Sequence, residues 1–288
     1  MEMKTILFAF SLTIFAGLAT GIGSLIGFFS KKFNPKFLAG ALGFSAGVMI
    51  YVSLIEIFPK AKAALELAYN GKTGYVFTVI AFFIGMAVIA IIDKVIPENE
   101  NPHEMGNIDP EHQAVGHVHQ ANGVEQKVSI QENNQKDQKK LMRMGVFSAL
   151  AIAIHNFPEG LATFMGALTE PAMGISIAVA IAIHNIPEGL AVSAPIYYAT
   201  GNRKKAFLFS FLSGLSEPVG ALIGFFILRN FFNDTTLGFI FAGVAGIMVY
   251  ISLDELLPTA EEYGEHHIAI GGLIAGMIVM AGSLLLFA

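Results

Sequence analysis

Two nearly identical stretches, AIAIHNFPEGLA from Ala151 to Ala162 and AIAIHNIPEGLA from Ala180 to Ala191, set histidine, asparagine and glutamate into apolar sequence 29 residues apart. Residues four apart share a helical face. His155 and Glu159 therefore point one way on their helix, and His184 and Glu188 one way on theirs. Asn156 and Asn185 are turned aside by about 100° and can face a neighbouring site. Imidazole nitrogen with carboxylate oxygen suits a borderline divalent ion such as zinc, iron, manganese or cobalt. Calcium or magnesium would be expected to use oxygen alone. Pro158 and Pro187 cannot donate to the carbonyls of Ile154 and Ile183, which predicts a kink and a free backbone oxygen in each helix. Gly160 and Gly189 let a facing backbone come close.

A third buried carboxylate is expected at Glu217, in Ser213-Gly-Leu-Ser-Glu217-Pro218. It reads as a second-site ligand beside Asn156 and Asn185, with Glu159 and Glu188 bridging two sites; a proton relay or a packing role is the plainer alternative. Three carboxylates without a Lys or Arg at the same depth demand a cation or protons, since unpaired ionised carboxylates in hydrocarbon cost several kcal/mol each.

That depth is a membrane depth. Hydrophobic residues make up 54% of the 288 and charged residues only 14%, where a soluble domain carries about 25% charged. Windows of about 20 apolar residues predict eight helices, near 5–29, 37–59, 74–96, 143–166, 172–198, 204–229, 236–258 and 267–287. The first apolar run continues to Phe29, too far for a signal-peptide core, and reads as a retained helix. Four segments follow: 1–97 with helices 1–3, a polar loop at 98–142, the central metal-binding helices 4 and 5 at 143–198, and helices 6–8 at 199–288. The absence of cysteine excludes disulfides and thiolate metal sites. The loops at 30–36, 94–143, 199–205 and 259–266 hold 12 of the 17 basic residues, so both termini are expected outside the cell's inner membrane. The 98–142 loop is expected to be disordered. Its His103, His112, His117 and His119 read either as part of a solvated cytoplasmic linker or as weak metal collectors.

A second repeat frames the first. Ala46 to Ala61 aligns without gaps on Ala245 to Ala260, matching Tyr51 with Tyr250, Ser53 with Ser252, Glu56 with Glu255 and Pro59 with Pro258. These segments fall on helices 2 and 7, which would cross in opposite directions. The expected architecture is therefore an all-α integral membrane bundle with 3+2+3 inverted repeats and a midplane site between the central pair. Glu56 falls toward the outer end of its helix, Glu255 toward the inner end of its own. Glu56, Asp254 and Glu255 are candidate pathway residues or, equally, helix-end residues at the interface. Glu261, Glu262, Glu265, His266 and His267 read as a solvated turn.

The paired HN-x-PEG motifs, the His-bearing loop after the third helix and the eight-helix layout resemble the ZIP (Zrt/Irt-like) metal-ion transporters. The likeness covers the whole chain, and SLIEIFP and SLDELLP are most similar to its bacterial type. The resemblance implies uptake of zinc and other divalent metals into the cytoplasm through a binuclear centre. It implies one metal at His155, Glu159, His184 and Glu188, and a second at Asn156, Glu159, Asn185, Glu188 and Glu217. Other members carry Gln and Asp where His184 and Asn185 stand here, which leaves the second site with one carboxylate fewer.

The sequence thus reads as an importer of zinc, with iron, manganese, cobalt and cadmium as further substrates. No catalytic cofactor and no nucleic-acid partner are expected; the partners are the divalent ions and the bilayer, and a homodimer is admitted without being required. A metal-independent proton or cation antiporter would not need two His/Glu pairs. An intramembrane metalloenzyme would need HE-x-x-H or the E-x-x-H order, neither of which the motif offers.

Overall fold

The computed structural model describes residues 2–29, 35–95, 125–228, 233–263 and 265–287. Every element among them is helical. In hydrocarbon each backbone N–H and C=O must find its partner inside the segment, and the helix is the local way to do that. Along the chain these are α1 (Met3–Phe29), α2 (Pro35–Val52), α3 (Phe58–Tyr69), α4 (Lys72–Val95), α5 (Glu125–Thr169), α6 (Pro171–Thr200), α7 (Arg203–Gly214), α8 (Ser216–Leu228), α9 (Asp234–Ile251), α10 (Leu257–Tyr263) and α11 (His266–Phe287). Seven spans among the described residues are long and apolar enough to cross a membrane: Met3–Leu25, Lys36–Tyr69, Lys72–Lys94, Pro171–Thr200, Arg203–Ile227, Asp234–Glu262 and His266–Leu285.

Two spans contain a wide turn at the same place in the repeat. A π turn, Ser53–Ile57, joins α2 to α3, and another, Ser252–Leu256, joins α9 to α10. Pro59 and Pro258 explain both. Proline has no N–H and its ring crowds the carbonyl four residues back, so Phe58 and Leu257 reach back five residues, to the carbonyls of Ser53 and Ser252. The Arg203–Ile227 span is broken instead: α7 ends at Gly214, a turn at Leu215 intervenes, and α8 restarts at Ser216 with Pro218 just inside it. Neither Pro158 nor Pro187 ends its helix, since α5 and α6 run through them.

Residues 125–142, read from composition as loop, belong to α5. Glu, Gln, Lys, Leu and Met are good helix formers, and the apolar half of α5 supplies the nucleus that a separate polar segment would lack. His103, His112, His117 and His119 lie outside the described residues. Short connectors carry the turns: Asn70 and Gly71 take positive φ between α3 and α4, and Gly201 does so after α6. Asn202 then caps α7 by accepting from the Lys205 N–H at 3.1 Å.

The helices pack in two groups. In one, α5 and α6 lie together with α1 on α6 and α8 on α5; in the other, α2 pairs with α11 and α4 with α9. Glycines set these distances. A Cβ on Gly47 would fall on the carbonyl of Leu273, and one on Gly276 on that of Phe44, so α2 and α11 touch backbone to backbone. The groups meet where α2 crosses α6 and α9 crosses α5. Large apolar side chains such as Phe83, Ile91, Phe226 and Ile278 are exposed on the outside, as a lipid-facing surface requires.

Candidate metal centre

α5 and α6 are joined at Glu170 alone, so they run antiparallel with their motifs at the same level. His155, Asn156, Glu159, His184, Asn185, Glu188 and Glu217 are each at most 1% exposed. The four-residue spacing does aim His and Glu along one face of each helix, yet the pairing is made across helices. His155 Nε2 lies 3.1 Å from Glu188 Oε2, and His184 Nε2 lies 3.2 Å from Glu159 Oε2. Among the described residues no three His, Asp or Glu side chains are gathered into a ready-made cage; the four form two crossed pairs.

The remaining polar atoms are where a cation would find donors. His155 Nδ1, His184 Nδ1, Glu159 Oε1, Asn156 Oδ1, Asn185 Oδ1 and Glu217 Oε2 are buried without a hydrogen-bond partner. Buried polar atoms are normally paired, and six of the unpartnered atoms fall on side chains of the two motifs and Glu217. No Lys or Arg among the described residues is buried, so no fixed cation neutralises these carboxylates.

Asn185 and Glu217 meet directly, the Asn185 amide donating to Glu217 Oε1. It also donates to the Ala16 carbonyl on α1 at 3.0 Å. Asn156 stands apart from Glu217 and donates at 3.5 Å to the carbonyl of Ser213, on the other side of the α7–α8 break. Gly160 makes this approach possible: a Cβ there would fall on the Glu217 backbone.

Two further residues join the centre without being visible in the motif. The Ser45 hydroxyl, on α2, lies 3.2 Å from the His184 carbonyl and 3.4 Å from Glu188 Oε1. Thr20, on α1, sits against Gly189, whose Cβ would fall on its carbonyl. Ser45 had no signal in sequence, because a single serine in an apolar helix has no spacing to read. Thr20 had one, the alignment of its helix with the helix that carries Glu217.

The candidate pathway residues are not part of this cluster. Glu56 is bound to Lys60 at 2.6 Å and lines a cavity of about 370 Å³ with Tyr51, Lys60, Glu170 and Ser176. Asp254 hydrogen-bonds with Tyr250. Glu255 is half-buried in the Ser252–Leu256 π turn. At the turn before α11, Lys36 and Glu265 form an exposed ion pair at 2.7 Å, and His266 contacts Glu261 at 2.6 Å.

A family model described as ZIP zinc transporter matches residues 12–284. The chain is 67% identical over 283 residues to the zinc transporter ZupT of Chlorobaculum parvum, covering 98% of each protein. It is 60% identical over 286 residues to the ZupT of Clostridium perfringens, covering 99% of this chain and 98% of that one. With the ZupT of Streptococcus mutans the identity is 58% over 279 residues, 97% of each. A multi-pass helical chain matched over nearly its whole length by a transporter family, and not by an enzyme family, belongs to the ZIP zinc transporter family.

Proposed function

We propose that the protein carries zinc across the membrane into the cytoplasm, with iron, manganese, cobalt and cadmium as further substrates, through a binuclear His/Glu/Asn centre between α5, α6 and the α7–α8 break. The observation that carries this reading is the pair of crossed His–Glu contacts, buried among unpartnered donor atoms without a fixed cation. His155, Glu159, His184 and Glu188 hold one ion; Asn156, Asn185 and Glu217 with the two bridging carboxylates hold the second. A metal would compete with the imidazole–carboxylate contacts for the same carboxylate oxygens, so loading would open both pairs. The names of the relatives, all zinc transporters, support zinc as a substrate.

The apolar C-terminal half of α5, from about residue 143 to 166, is the eighth crossing, which gives a 3+2+3 inverted repeat with both termini outside. The twin π turns and the repeat of residues 46–61 in 245–260 support that symmetry. The ion enters past Glu56 and leaves past Glu255 and the histidines of the segment between α4 and α5. Alternating access falls on the seam between the two packed groups, where α2 meets α6 and α9 meets α5. A homodimer is compatible with this arrangement.

Radiolabelled zinc uptake into proteoliposomes tests the reading. Wild type is expected to take up zinc, and Glu188→Ala to lose it by well over tenfold, since even outer partners of a metal ligand are worth about 10–100-fold. Undiminished flux in Glu188→Ala would sink the assignment. Proton movement without metal flux in wild type would favour the antiporter instead.

A further inference from the structure

Glu217 has a structural twin that carries no charge. The relation that exchanges α5 with α6 also exchanges α1 with the Arg203–Ile227 span of α7 and α8. A Cβ on Gly160 would fall on the carbonyl of Glu217, and one on Gly189 on the carbonyl of Thr20. Gly220 meets the carbonyl of Phe157 as Gly23 meets that of Ile186. Asn156 donates to the Ser213 carbonyl as Asn185 donates to the Ala16 carbonyl. In each case the partners are 29 residues apart on the central helices and 197 apart on the outer ones. The sequence keeps the same register: AGLATGIGSLIGFF, from Ala16 to Phe29, matches SGLSEPVGALIGFF, from Ser213 to Phe226, at eight of fourteen positions. Thr20 therefore stands where Glu217 stands.

The two are on opposite sides of the helix crossing. Gly17 and Gly214 meet each other's carbonyls, while Gly21 meets Phe211 and Phe207, so α1 and α7 are antiparallel and cross at the two glycines. Thr20 and Glu217 each lie three residues past that point, about 4.5 Å along their own axes, toward opposite faces of the membrane.

Thr20 differs from four other helical threonines. Thr13, Thr78, Thr169 and Thr200 give their hydroxyls to the carbonyl four residues back, the usual outlet for threonine in a helix. The Thr20 hydroxyl is fully buried and has no partner, a state it shares with Thr163, one turn past Glu159. It faces α7: a Cβ on Gly214 would lie 2.9 Å from Thr20 Oγ1, beside the Ser213 carbonyl that holds Asn156. The Asn156 side-chain oxygen is also buried and unpartnered.

We propose that Thr20 Oγ1, together with Asn156 Oδ1 once that side chain leaves the second ion, forms a further, uncharged subsite for the transported divalent cation, the twin of the Asn185–Glu217 contact. Neutral oxygens hold a partly hydrated cation far less tightly than a carboxylate does. The centre thus grips the ion on the Glu217 side and relaxes its hold on the Thr20 side. With the termini outside, α1 descends inward from residue 3 and Thr20 lies on the cytoplasmic side of the crossing, so the weak subsite is the last one before release. The assignment rests on the transport reading given above for the centre.

The test uses the full-length protein in proteoliposomes, with radiolabelled zinc as the probe and Thr20→Val and Thr20→Ser as variants. Valine keeps the shape and removes the hydroxyl; serine keeps the hydroxyl. Thr20→Val is expected to lower the maximal rate about tenfold with a nearly unchanged KM, because the Glu217 side still loads the ion, while Thr20→Ser recovers most of the rate. Wild-type rates in Thr20→Val would overturn the subsite and leave the centre standing. Equal losses in both variants, with lowered melting temperatures, would also overturn it, assigning Thr20 to packing alone. No zinc flux in wild type would overturn the centre's role and the subsite together.

Discussion

Ser45 reaches the centre from a helix outside the central pair. Its single hydroxyl proton serves either the His184 carbonyl at 3.2 Å or the Glu188 carboxylate at 3.4 Å. Pro187 cannot donate to the carbonyl of Ile183, and the next carbonyl, that of His184, is the one Ser45 meets. A hydroxyl at that place steadies either the backbone that carries the imidazole or the carboxylate that pairs with the other histidine. Ser45→Ala is expected to raise the half-saturating zinc concentration about tenfold, the lower end of the range for partners of metal ligands. The concentration dependence of uptake measures it, and an unshifted curve would remove Ser45 from the centre. The motif residues themselves were readable because the twelve-residue copies put His, Asn and Glu at fixed intervals in apolar sequence. Which histidine meets which glutamate was not readable, since spacing reports faces within a helix and not the register between two.

At the scale of elements, glycine decides that register. Gly160 and Gly189 lie where a neighbouring backbone carbonyl, of Glu217 and Thr20 respectively, occupies the space a Cβ would need. A rotamer change cannot relieve such a clash, so the helices must separate. Gly160→Ala and Gly189→Ala are each expected to lower stability by about 1–3 kcal/mol, as overpacking does, and to reduce zinc uptake. Thermal unfolding in detergent checks this, with Gly271→Ala as the control, because a Cβ there meets nothing within 4 Å. The repeated Ser-Leu-x-Glu segments foretold equivalent helices, while the kinks expected from sequence were those at Pro158 and Pro187. The form of the disturbance differed: π turns before Pro59 and Pro258, a break before Pro218, and unbroken helices through Pro158 and Pro187. Proline removes the same hydrogen bond in all five places, and the surrounding packing chooses how the helix accommodates the loss.

For the molecule as a whole, orientation in the membrane is the property with the widest consequences, since it sets which subsite meets the outside first. The chain lacks cysteine, so single-cysteine variants report position without background. Lys4→Cys is expected to react with a membrane-impermeant maleimide on intact cells, and Lys204→Cys only after permeabilisation; the reverse pattern would overturn the outside placement of both termini. Composition and patterning alone determined a helical membrane protein, because apolar windows of this length have few other homes, and the near-perfect repeats singled out the His, Asn and Glu side chains of the candidate centre. Tertiary structure decided the crossed His–Glu pairing, the inclusion of Ser45 from 139 residues before His184, and the facing of Thr20 and Glu217 across one glycine crossing. Those are long-range contacts between helices that all look alike in hydropathy, and only close packing at specific glycines distinguishes one neighbour from another.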